Sequence, residues 1–255
     1  MATRPRDPGP WSAISSAGRL ALILVLIPFL LPFHLASRRK PPPSPVARTA
    51  LRWATRLLRL RVTVQGAPAD GPILFVGNHV SWGDTPIIGG QLPVSFVAKS
   101  EIAGWPLIGW LARRAGTVFV ERRRGAVAGQ RDALAVRLAD GGKVFLFAEG
   151  VSAAGDVVLP FKPALFAAAM AENVRVQPVT IVYETVGGAP VTDANRLRIA
   201  WVGEARLLPH VWWVLRRGGA EARILLHPPV EPAAFASRAE LAGACREMVA
   251  SGLPR

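Results

Sequence analysis

The sequence predicts an α/β fold, a mixed sheet flanked by helices, with an apolar membrane anchor at the amino-terminal end. Three observations support this fold class. Short β-like runs alternate with helical stretches from residue 61 onward, no repeat of fixed period is present, and hydrophobic residues make up 51% of the 255-residue chain. Alternating strands and helices are typical of a sheet covered by helices, and a chain of this length can bury a sizeable core.

The individual elements are predicted from local runs of residues. Strands are expected where short apolar, β-branched runs occur, at Arg61–Gln65, Pro72–Gly77, Val94–Val97, Thr117–Glu121, Val144–Ala148, Val174–Tyr183, Leu197–Val202 and Ala222–His227. Helices are expected at Pro86–Gln91, Gly125–Ala139, Ala164–Glu172 and Ser237–Ser251.

Three segments are predicted along the chain: a flexible tail at 1–18, a membrane anchor with a proline-rich spacer at 19–46, and one folded domain at 47–255. A bilayer span needs about 17 to 25 apolar residues. Leu20–Ala36, which contains Pro28 and Pro32, is therefore at the short limit. A spanning helix, a kinked anchor within one leaflet and a cleaved signal peptide are the alternatives. We expect an anchor, because the small-residue cleavage pattern is poor.

The charge distribution predicts the side of the membrane on which the domain lies. The chain carries 31 Lys and Arg against 17 Asp and Glu, a net charge of +14. Eight basic residues lie from Arg38 to Arg61, directly after the apolar segment, and three precede it. Because a basic cluster after an apolar segment tends to stay in the cytoplasm, we expect a protein of the inner membrane whose domain faces the cytoplasm and contacts an anionic membrane surface.

An amphipathic helix is predicted over Ala47–Leu60, with Arg48, Arg52, Arg56 and Arg59 along one side. One interpretation is a surface helix that packs its apolar side on the core. The other is a helix lying among lipid head groups, with its arginines on phosphates. The sequence leaves both open.

A histidine and an aspartate follow the buried strand predicted at Pro72–Gly77. Residues five apart on a helix diverge by about 140°, so His79 and Asp84 meet only if the chain turns between them, and Gly83 permits such a turn. A carboxylate on one imidazole nitrogen would leave the other nitrogen free to accept a proton. Asp84, with Pro86 two residues later, also fits the N-cap of a helix. Spacing alone is equally compatible with a structural histidine beside a capping aspartate.

Four blocks between about Leu57 and Val230 resemble the signatures of the glycerolipid acyltransferase family, of the lysophosphatidic acid acyltransferase type. The blocks are Asn78-His79-x4-Asp84, the strand Gly116–Arg122, Phe147-Ala148-Glu149-Gly150, and the proline-containing strand Val176–Ile181. Ala98-Lys99 followed by Gly104-Trp105-Pro106 is similar to a stretch commonly found between the first two blocks. Since the blocks occur in the expected order, their combination is specific.

Two departures from the family pattern bear on the acceptor. Ala148 replaces the usual proline, and Val151-Ser152 stand where the family commonly has Thr-Arg. That arginine helps to neutralise the acceptor's phosphate, and such contacts normally recruit Arg or Lys. The runs Leu159–Phe166 and Leu208–Trp212 are similar to the branch that acylates lyso-ornithine lipid, which has an amino-acid head group and no phosphate. The resemblance thus favours lyso-ornithine lipid, with lysophosphatidic acid as the alternative.

The resemblance implies acyl transfer from an acyl carrier protein or coenzyme A thioester to the hydroxyl of a lysolipid. His79 would be the general base, and Asp84 would orient its ring and support the imidazolium. Lys99 and Arg122 are candidates for binding the acceptor head group or a donor phosphate. No metal or prosthetic group is expected.

Glu149 and Gly150 complete the candidate substrate-binding residues. The resemblance implies that Glu149 positions polar groups of the acceptor; the alternative is that it pairs with an arginine to hold its loop. Backbone N–H groups near Glu149-Gly150 are candidates for stabilising the oxyanion of the transition state.

Other classes of function fit less well. The stretch Gly150–Ala154 lacks the second glycine of a serine-hydrolase elbow. A nucleic-acid-binding protein would explain the net charge, yet the chain has a single tyrosine and no recognisable motif for it, so we expect no nucleic acid. A purely structural membrane protein is a third alternative. The lone Cys245 excludes a disulfide framework and a cysteine-based zinc site.

Two tryptophan-containing stretches, Trp105–Leu111 and Val211–Arg217, fit either core packing or the bilayer interface.

Overall fold

The structure, a computed structural model, describes residues 15–19, 21, 45–105, 108–120, 127–203 and 205–254. Apart from Ala21, the predicted anchor Leu20–Ala36 lies outside these residues, as does the spacer up to residue 44. Among the described residues, no helix combines the length and the apolar character needed to cross a bilayer.

Helices and strands alternate through the domain, as predicted. From Pro45 onward the helices are α1 (Pro45–Leu57), α2 (Asp84–Gln91), α3 (Ser100–Ala103), α4 (Ile108–Arg114), α5 (Val127–Ala139), α6 (Phe166–Ala171), α7 (Leu207–Arg216) and α8 (Arg238–Ser251). The strands are β1 (Leu60–Gln65), β2 (Ile73–Gly77), β3 (Ser95–Lys99), β4 (Val118–Val120), β5 (Lys143–Phe147), β6 (Val176–Val186), β7 (Ala189–Pro190) and β8 (Ala220–Leu226). Short 3₁₀ helices lie at Pro163–Leu165, Arg196–Arg198 and Pro232–Ala234.

The strands of the described residues form one mixed sheet in the order β1-β8-β6-β2-β5-β3-β4, with β7 paired to β6. The five strands from β6 to β4 are parallel to one another. Strand β8 runs antiparallel to β6, and β1 runs parallel to β8. The mixed α/β sheet predicted from the sequence is therefore confirmed.

Helices cover both faces of the sheet. On β2 the side chain of Phe75 packs with Ile87 and Ile88 of α2 in one buried cluster. Its neighbour Leu74 packs on the other face, with Leu138 of α5 in a second cluster. Successive side chains of a strand point to opposite faces, so a strand between two helical layers is apolar throughout. Every residue of β2 is buried accordingly.

The strand predicted at Leu197–Val202 is wrong. This apolar run forms the 3₁₀ helix Arg196–Arg198 and a loop in which Ile199 is buried. The Trp201 backbone N–H donates to the carbonyl of Val80, in the loop after β2, rather than to a strand. Buried apolar loops and strands have the same composition, so the pattern could not separate them.

Helix α1 differs in its ends from the predicted Ala47–Leu60. It begins at Pro45, and it ends before Arg59, whose φ of 55° turns the chain into β1. Arg48 and Arg52 donate hydrogen bonds to the carbonyls of Gln91 and Gly90, at the end of α2, where carbonyls lack helical partners. Arg48 and Arg52 therefore bind α2 of the domain itself rather than lipid phosphates. Contact of the other side of α1 with lipid stays a prediction.

Candidate active site

The predicted site residues lie at one edge of the sheet. His79 follows β2, Glu149 follows β5, and Lys99 ends β3. These three strands are adjacent and parallel, so their carboxyl ends open on the same side, where α/β proteins commonly bind ligands. Strand β3 pairs with β5 only at Ser95 and Phe96, so Lys99, which is exposed, lies beyond the paired part of these two strands. Arg122, predicted to follow β4, lies outside the described residues.

The side chains of His79 and Asp84 are in direct contact. Nδ1 of His79 lies 2.7 Å from Oδ2 of Asp84. The carboxylate is fully buried, whereas the imidazole is 20% exposed. One face of the ring stacks on Phe147, with ring centroids 4.1 Å apart. The histidine is therefore fixed on its buried side and accessible on its outer side.

Three further hydrogen bonds surround the Asp84 carboxylate. Oδ2 also accepts from the backbone N–H groups of Val80 and Ser81, at 2.7 and 2.9 Å. Oδ1 accepts from the hydroxyl of Tyr183 at 2.8 Å. A carboxylate in such a donor set can only accept, so Nδ1 of His79 carries the shared proton and Nε2 is left with a lone pair. This is the tautomer that a general base requires.

The turn that brings the two side chains together differs from the prediction. Asp84 is the first residue of α2, and its side chain accepts from the preceding loop, so it is not the N-cap. Gly83 occupies the N-cap position with ordinary helical dihedral angles, φ −63° and ψ −20°. Its lack of a side chain is needed for space, because a Cβ there would lie 2.6 Å from the Tyr183 hydroxyl.

Backbone hydrogen bonds hold the loop 78–84 on several sides. The side-chain amide of Asn78 donates to the carbonyl of Ile181 on β6 and accepts from the N–H of the same residue. The carbonyl of His79 accepts from the N–H of Ala153, and that of Val80 from the N–H of Trp201. These bonds tie the loop to three separate segments of the chain and resist its displacement. The loop is therefore a preorganised support for the histidine.

Glu149 is buried and bonded to backbone rather than to another side chain. Its Oε2 accepts from the N–H of His79 and its Oε1 from the N–H of Leu159, both at 2.7 Å. Burial raises the pKa of Glu149, and the two N–H donors act in the opposite direction. Its carboxylate links the histidine loop to the loop after β5. No arginine of the described residues forms an ion pair with it, so the alternative of an arginine partner finds no support in this part of the chain.

Gly150 makes room for a lysine that the sequence analysis did not identify. Its φ of 70° is favourable for glycine alone, and a Cβ there would lie 2.8 Å from Nζ of Lys162. The Lys162 backbone N–H donates to the carbonyl of Ala148. The N–H of Gly150 already donates to the carbonyl of Phe147, so it is committed within its turn.

Ser152 stands where the family commonly has arginine. Its hydroxyl donates to the carbonyl of Trp201, so this position ties two loops together and supplies no cation. Trp82, in the histidine loop, donates its indole N–H to Nδ1 of His210 on α7 at 2.8 Å. The segment 199–203 and α7 are therefore both bonded to the histidine loop.

Three residues of this site lay outside the sequence-based set: Tyr183, Lys162 and His210. The sequence offered a sign of Tyr183, because it is the only tyrosine of the chain and lies in an apolar strand. The sign of Lys162 was weaker: it is a basic residue between Pro160 and Pro163, shortly after the third sequence block. His210 lies in the run Leu208–Trp212 noted for its resemblance, but its contact with Trp82 joins residues 128 positions apart and has no local signal.

Comparisons with known proteins agree with the resemblance derived from the four blocks. A family model described as Acyltransferase matches residues 59–182. The lyso-ornithine lipid O-acyltransferase of Brucella abortus is 38% identical over 238 residues, covering 89% of this chain and 87% of that protein. The protein of the same name from Rhodobacter capsulatus is 36% identical, covering 98% of this chain and 94% of its own length.

A solved structure shows the same fold. The 1-acyl-sn-glycerophosphate acyltransferase of Thermotoga maritima superimposes with a TM-score of 0.63, covering 94% of this chain and 93% of that one. Its sequence identity is 23%, so the likeness supports the fold alone. The identities to the Brucella and Rhodobacter proteins extend over most of the chain and confirm the predicted resemblance: this protein belongs to the acyltransferase family and is an acyltransferase.

Proposed function

We propose that the protein transfers a fatty acyl group from an acyl thioester to the hydroxyl of lyso-ornithine lipid. The observation that carries this proposal is the contact between Nδ1 of His79 and the buried carboxylate of Asp84, with the outer side of the ring open. A histidine held in this way can accept a proton at Nε2 from an alcohol.

In the proposed mechanism, Nε2 of His79 takes the proton of the lysolipid hydroxyl as its oxygen attacks the thioester carbonyl. Asp84 supports the imidazolium that forms, while Tyr183, Val80 and Ser81 keep the carboxylate in place. Collapse of the tetrahedral intermediate breaks the carbon–sulfur bond, and the imidazolium returns its proton to the departing thiolate. The products are an ester and a free thiol, and no covalent acyl-enzyme is needed.

The acceptor is proposed from the charges beside the histidine. A phosphate group carries up to two negative charges and normally recruits arginine, yet the position that the family commonly gives to arginine is Ser152, bonded to a backbone carbonyl. An amino-acid head group has a single carboxylate, which one lysine can match. Relatives named lyso-ornithine lipid O-acyltransferase, at 36–38% identity, support this acceptor.

Lys162 is the cation that we assign to the carboxylate of the head group. Its Nζ lies over Gly150, next to the loop that Glu149 bonds to His79. It forms no ion pair with a carboxylate of the described residues, so its charge is available. Lys99, at the end of β3, and Arg122 are proposed to bind phosphate groups of the donor. Glu149 is proposed to position His79 through its backbone rather than to contact the acceptor.

The donor and the cellular location are also proposals. An acyl carrier protein or coenzyme A thioester supplies the activated acyl group, and no metal or prosthetic group takes part in the steps above. The apolar run Leu20–Ala36 and the basic residues after it favour attachment to the inner membrane, with the domain on the cytoplasmic side. An anionic membrane surface would hold the lysolipid acceptor close to the site.

The test is acyl transfer by the purified protein to two acceptors in the same detergent micelles. With either thioester as donor, we expect a higher kcat/KM for lyso-ornithine lipid than for lysophosphatidic acid. Lys162→Met should raise KM for lyso-ornithine lipid about tenfold, the effect of losing one charge-assisted contact. A clear preference for lysophosphatidic acid would overturn the acceptor assignment. Absence of transfer to any lysolipid would overturn the function.

A further inference from the structure

The first two turns of helix α7 are apolar and only partly buried: Leu208 and Pro209 are exposed, while Val211 and Trp213 pack partly against the core. None of residues 207–213, the sequence Leu-Leu-Pro-His-Val-Trp-Trp, is buried, whereas Val214 and Leu215 in its second half are. Leu208 is 76% exposed, more than any other large hydrophobic residue in the part of the chain that the structure describes. We call residues 207–213 the α7 tip. An exposed apolar surface of this kind marks a contact with another apolar surface.

Basic residues flank the α7 tip on both sides. Residues 204–217 contain three arginines and one acidic residue, Glu204. Arg206 is exposed and directly precedes the helix, and Arg216 and Arg217 follow the tip. The guanidinium of Arg217 lies 5.4 Å from the ring of Trp213. A short apolar segment with tryptophan, flanked by arginines, matches the boundary between the acyl chains and the anionic head groups of a bilayer.

The α7 tip is bonded to the candidate active site. Nδ1 of His210, in the middle of the tip, accepts from the indole of Trp82, three residues after His79. The loop that leads into α7 is bonded to the same region, from the N–H of Trp201 to the carbonyl of Val80. A surface that touches lipid at the tip would thus lie beside the histidine that acts on the lipid.

We infer that the α7 tip docks into an anionic lipid bilayer, with Leu208 and Trp212 among the acyl chains and Arg206 on the phosphates. This contact is separate from the apolar run Leu20–Ala36. It rests on the proposed function only in that the substrate is a lipid. Its role is to hold the mouth of the site against the membrane, so that a lysolipid reaches His79 without crossing water.

A fluorescent label at position 208 tests the contact directly. Cys245 is fully buried, and burial raises the pKa of its thiol to about 12, so a thiol reagent will react at an introduced cysteine. Full-length Leu208→Cys carries an environment-sensitive dye, and Val136→Cys, 62% exposed on α5, is the matched control. Both proteins are reconstituted in vesicles of phosphatidylcholine, with or without phosphatidylglycerol and with a quencher on the lipid acyl chains.

In vesicles with phosphatidylglycerol, we expect the dye at position 208 to be quenched at least about threefold more than the dye at position 136. Omission of phosphatidylglycerol should reduce the difference. Equal quenching at the two positions would overturn the inference, and so would a difference that does not depend on anionic lipid. The dye signal at position 208 could instead change without lipid, on addition of a second copy of the protein or of an acidic acyl carrier protein. That result would assign the α7 tip to the added protein and overturn the inference. None of these readouts requires turnover, so their outcome does not depend on whether the proposed function is correct.

Kinetics provide a second readout. Leu208→Asp should lower kcat/KM about tenfold for a long-chain lysolipid embedded in vesicles. It should leave activity unchanged with a short-chain lysolipid dissolved as monomers. Val136→Asp should leave both activities unchanged. Equal losses of Leu208→Asp on the two substrates would show that Leu208 supports the fold or the site rather than membrane contact, and would contradict the inference.

Discussion

The hydroxyl of Tyr183 donates a hydrogen bond to Oδ1 of Asp84, on the side of the carboxylate away from His79. Tyr183 lies on β6, beside a β-bulge that shifts the pairing between Tyr183 and Thr185. Burial raises the pKa of Tyr183 well above 10, and the charge of Asp84 adds to this, so the phenol remains a donor. A residue 99 positions further along the chain thus fixes the carboxylate that fixes the histidine.

Tyr183→Phe removes this donor and keeps the ring. A hydrogen bond to a charged group contributes about 1.5–3 kcal/mol, and part of that loss should appear in the orientation of His79. We expect kcat to fall about 10-fold with a smaller change in KM, and the acidic limb of the pH–rate profile to move, because the carboxylate facing His79 loses a partner. Initial rates over a range of pH values measure both effects.

Thr180→Val is the matched control for that variant. It removes another buried hydroxyl of β6, one that donates to the carbonyl of Val249 and does not contact Asp84. It should cost stability without moving the pH–rate profile. If the two variants change the profile equally, Tyr183 has only a structural role.

Gly83→Ala should disturb the same contact by crowding it. The added Cβ would lie 2.6 Å from the Tyr183 hydroxyl but 3.7 Å from the ring carbon that bears it. Overpacking of this kind costs about 1–3 kcal/mol. The double variant Gly83→Ala/Tyr183→Phe should recover part of the loss, because the oxygen that clashes is gone. Denaturant unfolding of the four proteins gives the coupling free energy, and strictly additive effects would contradict the assigned reason for Gly83.

Glu149→Gln should lower stability and activity together. Both carboxylate oxygens accept backbone N–H groups, so the amide can satisfy one donor and must turn its own NH₂ toward the other. Leaving a buried N–H without an acceptor costs about 1–3 kcal/mol. Thermal unfolding and transfer rates measure the loss, with the exposed Glu172→Gln as control. Wild-type behaviour of Glu149→Gln would show that the link between the two loops is dispensable.

Acid should weaken the tie between the histidine loop and α7. Burial lowers the pKa of His210 below its usual value near 6.5, so the folded protein favours the neutral ring, whose Nδ1 accepts from Trp82. The contribution of this group to stability is therefore full above about pH 6.5 and decreases as the pH falls, since the unfolded chain binds the proton more readily.

The melting temperature should accordingly fall between about pH 7 and pH 5.5, and His210→Asn, whose side-chain oxygen can accept from Trp82, should reduce the slope. Burial also lowers the pKa of His227. The variant His227→Gln therefore measures how much of the pH dependence of the melting temperature comes from His227. An unchanged slope in His210→Asn would contradict the assignment.

Local sequence patterns predicted much of the fold and the position of the site. Strand β2 was recognisable because all of its residues are apolar, and His79 because it follows such a strand directly. The turn between His79 and Asp84 was predicted for the wrong reason: Gly83 has common dihedral angles, and the constraint on it comes from Tyr183 on a distant strand. Contacts of this kind depend on sheet order, which no local pattern contains.

The same limit applies to loops and charges. The run Leu197–Val202 has the composition of a strand, and only its hydrogen bond to the histidine loop shows why it forms none. Glu149 was recognised as part of the site from its block, but its partners are backbone N–H groups whose identity requires coordinates. Lys162 gained significance only when the turn at Gly150 placed it near the site.

The most direct test of the central claim is acyl transfer by His79→Ala. Glu149 bonds the backbone of His79 rather than its side chain, so the loop should keep its position after the truncation. We predict that transfer from an acyl thioester to lyso-ornithine lipid falls by about 10²–10⁴-fold, the usual contribution of a general base, while the melting temperature and recovery with membranes match the wild type. Near-normal transfer by the folded variant would contradict the account.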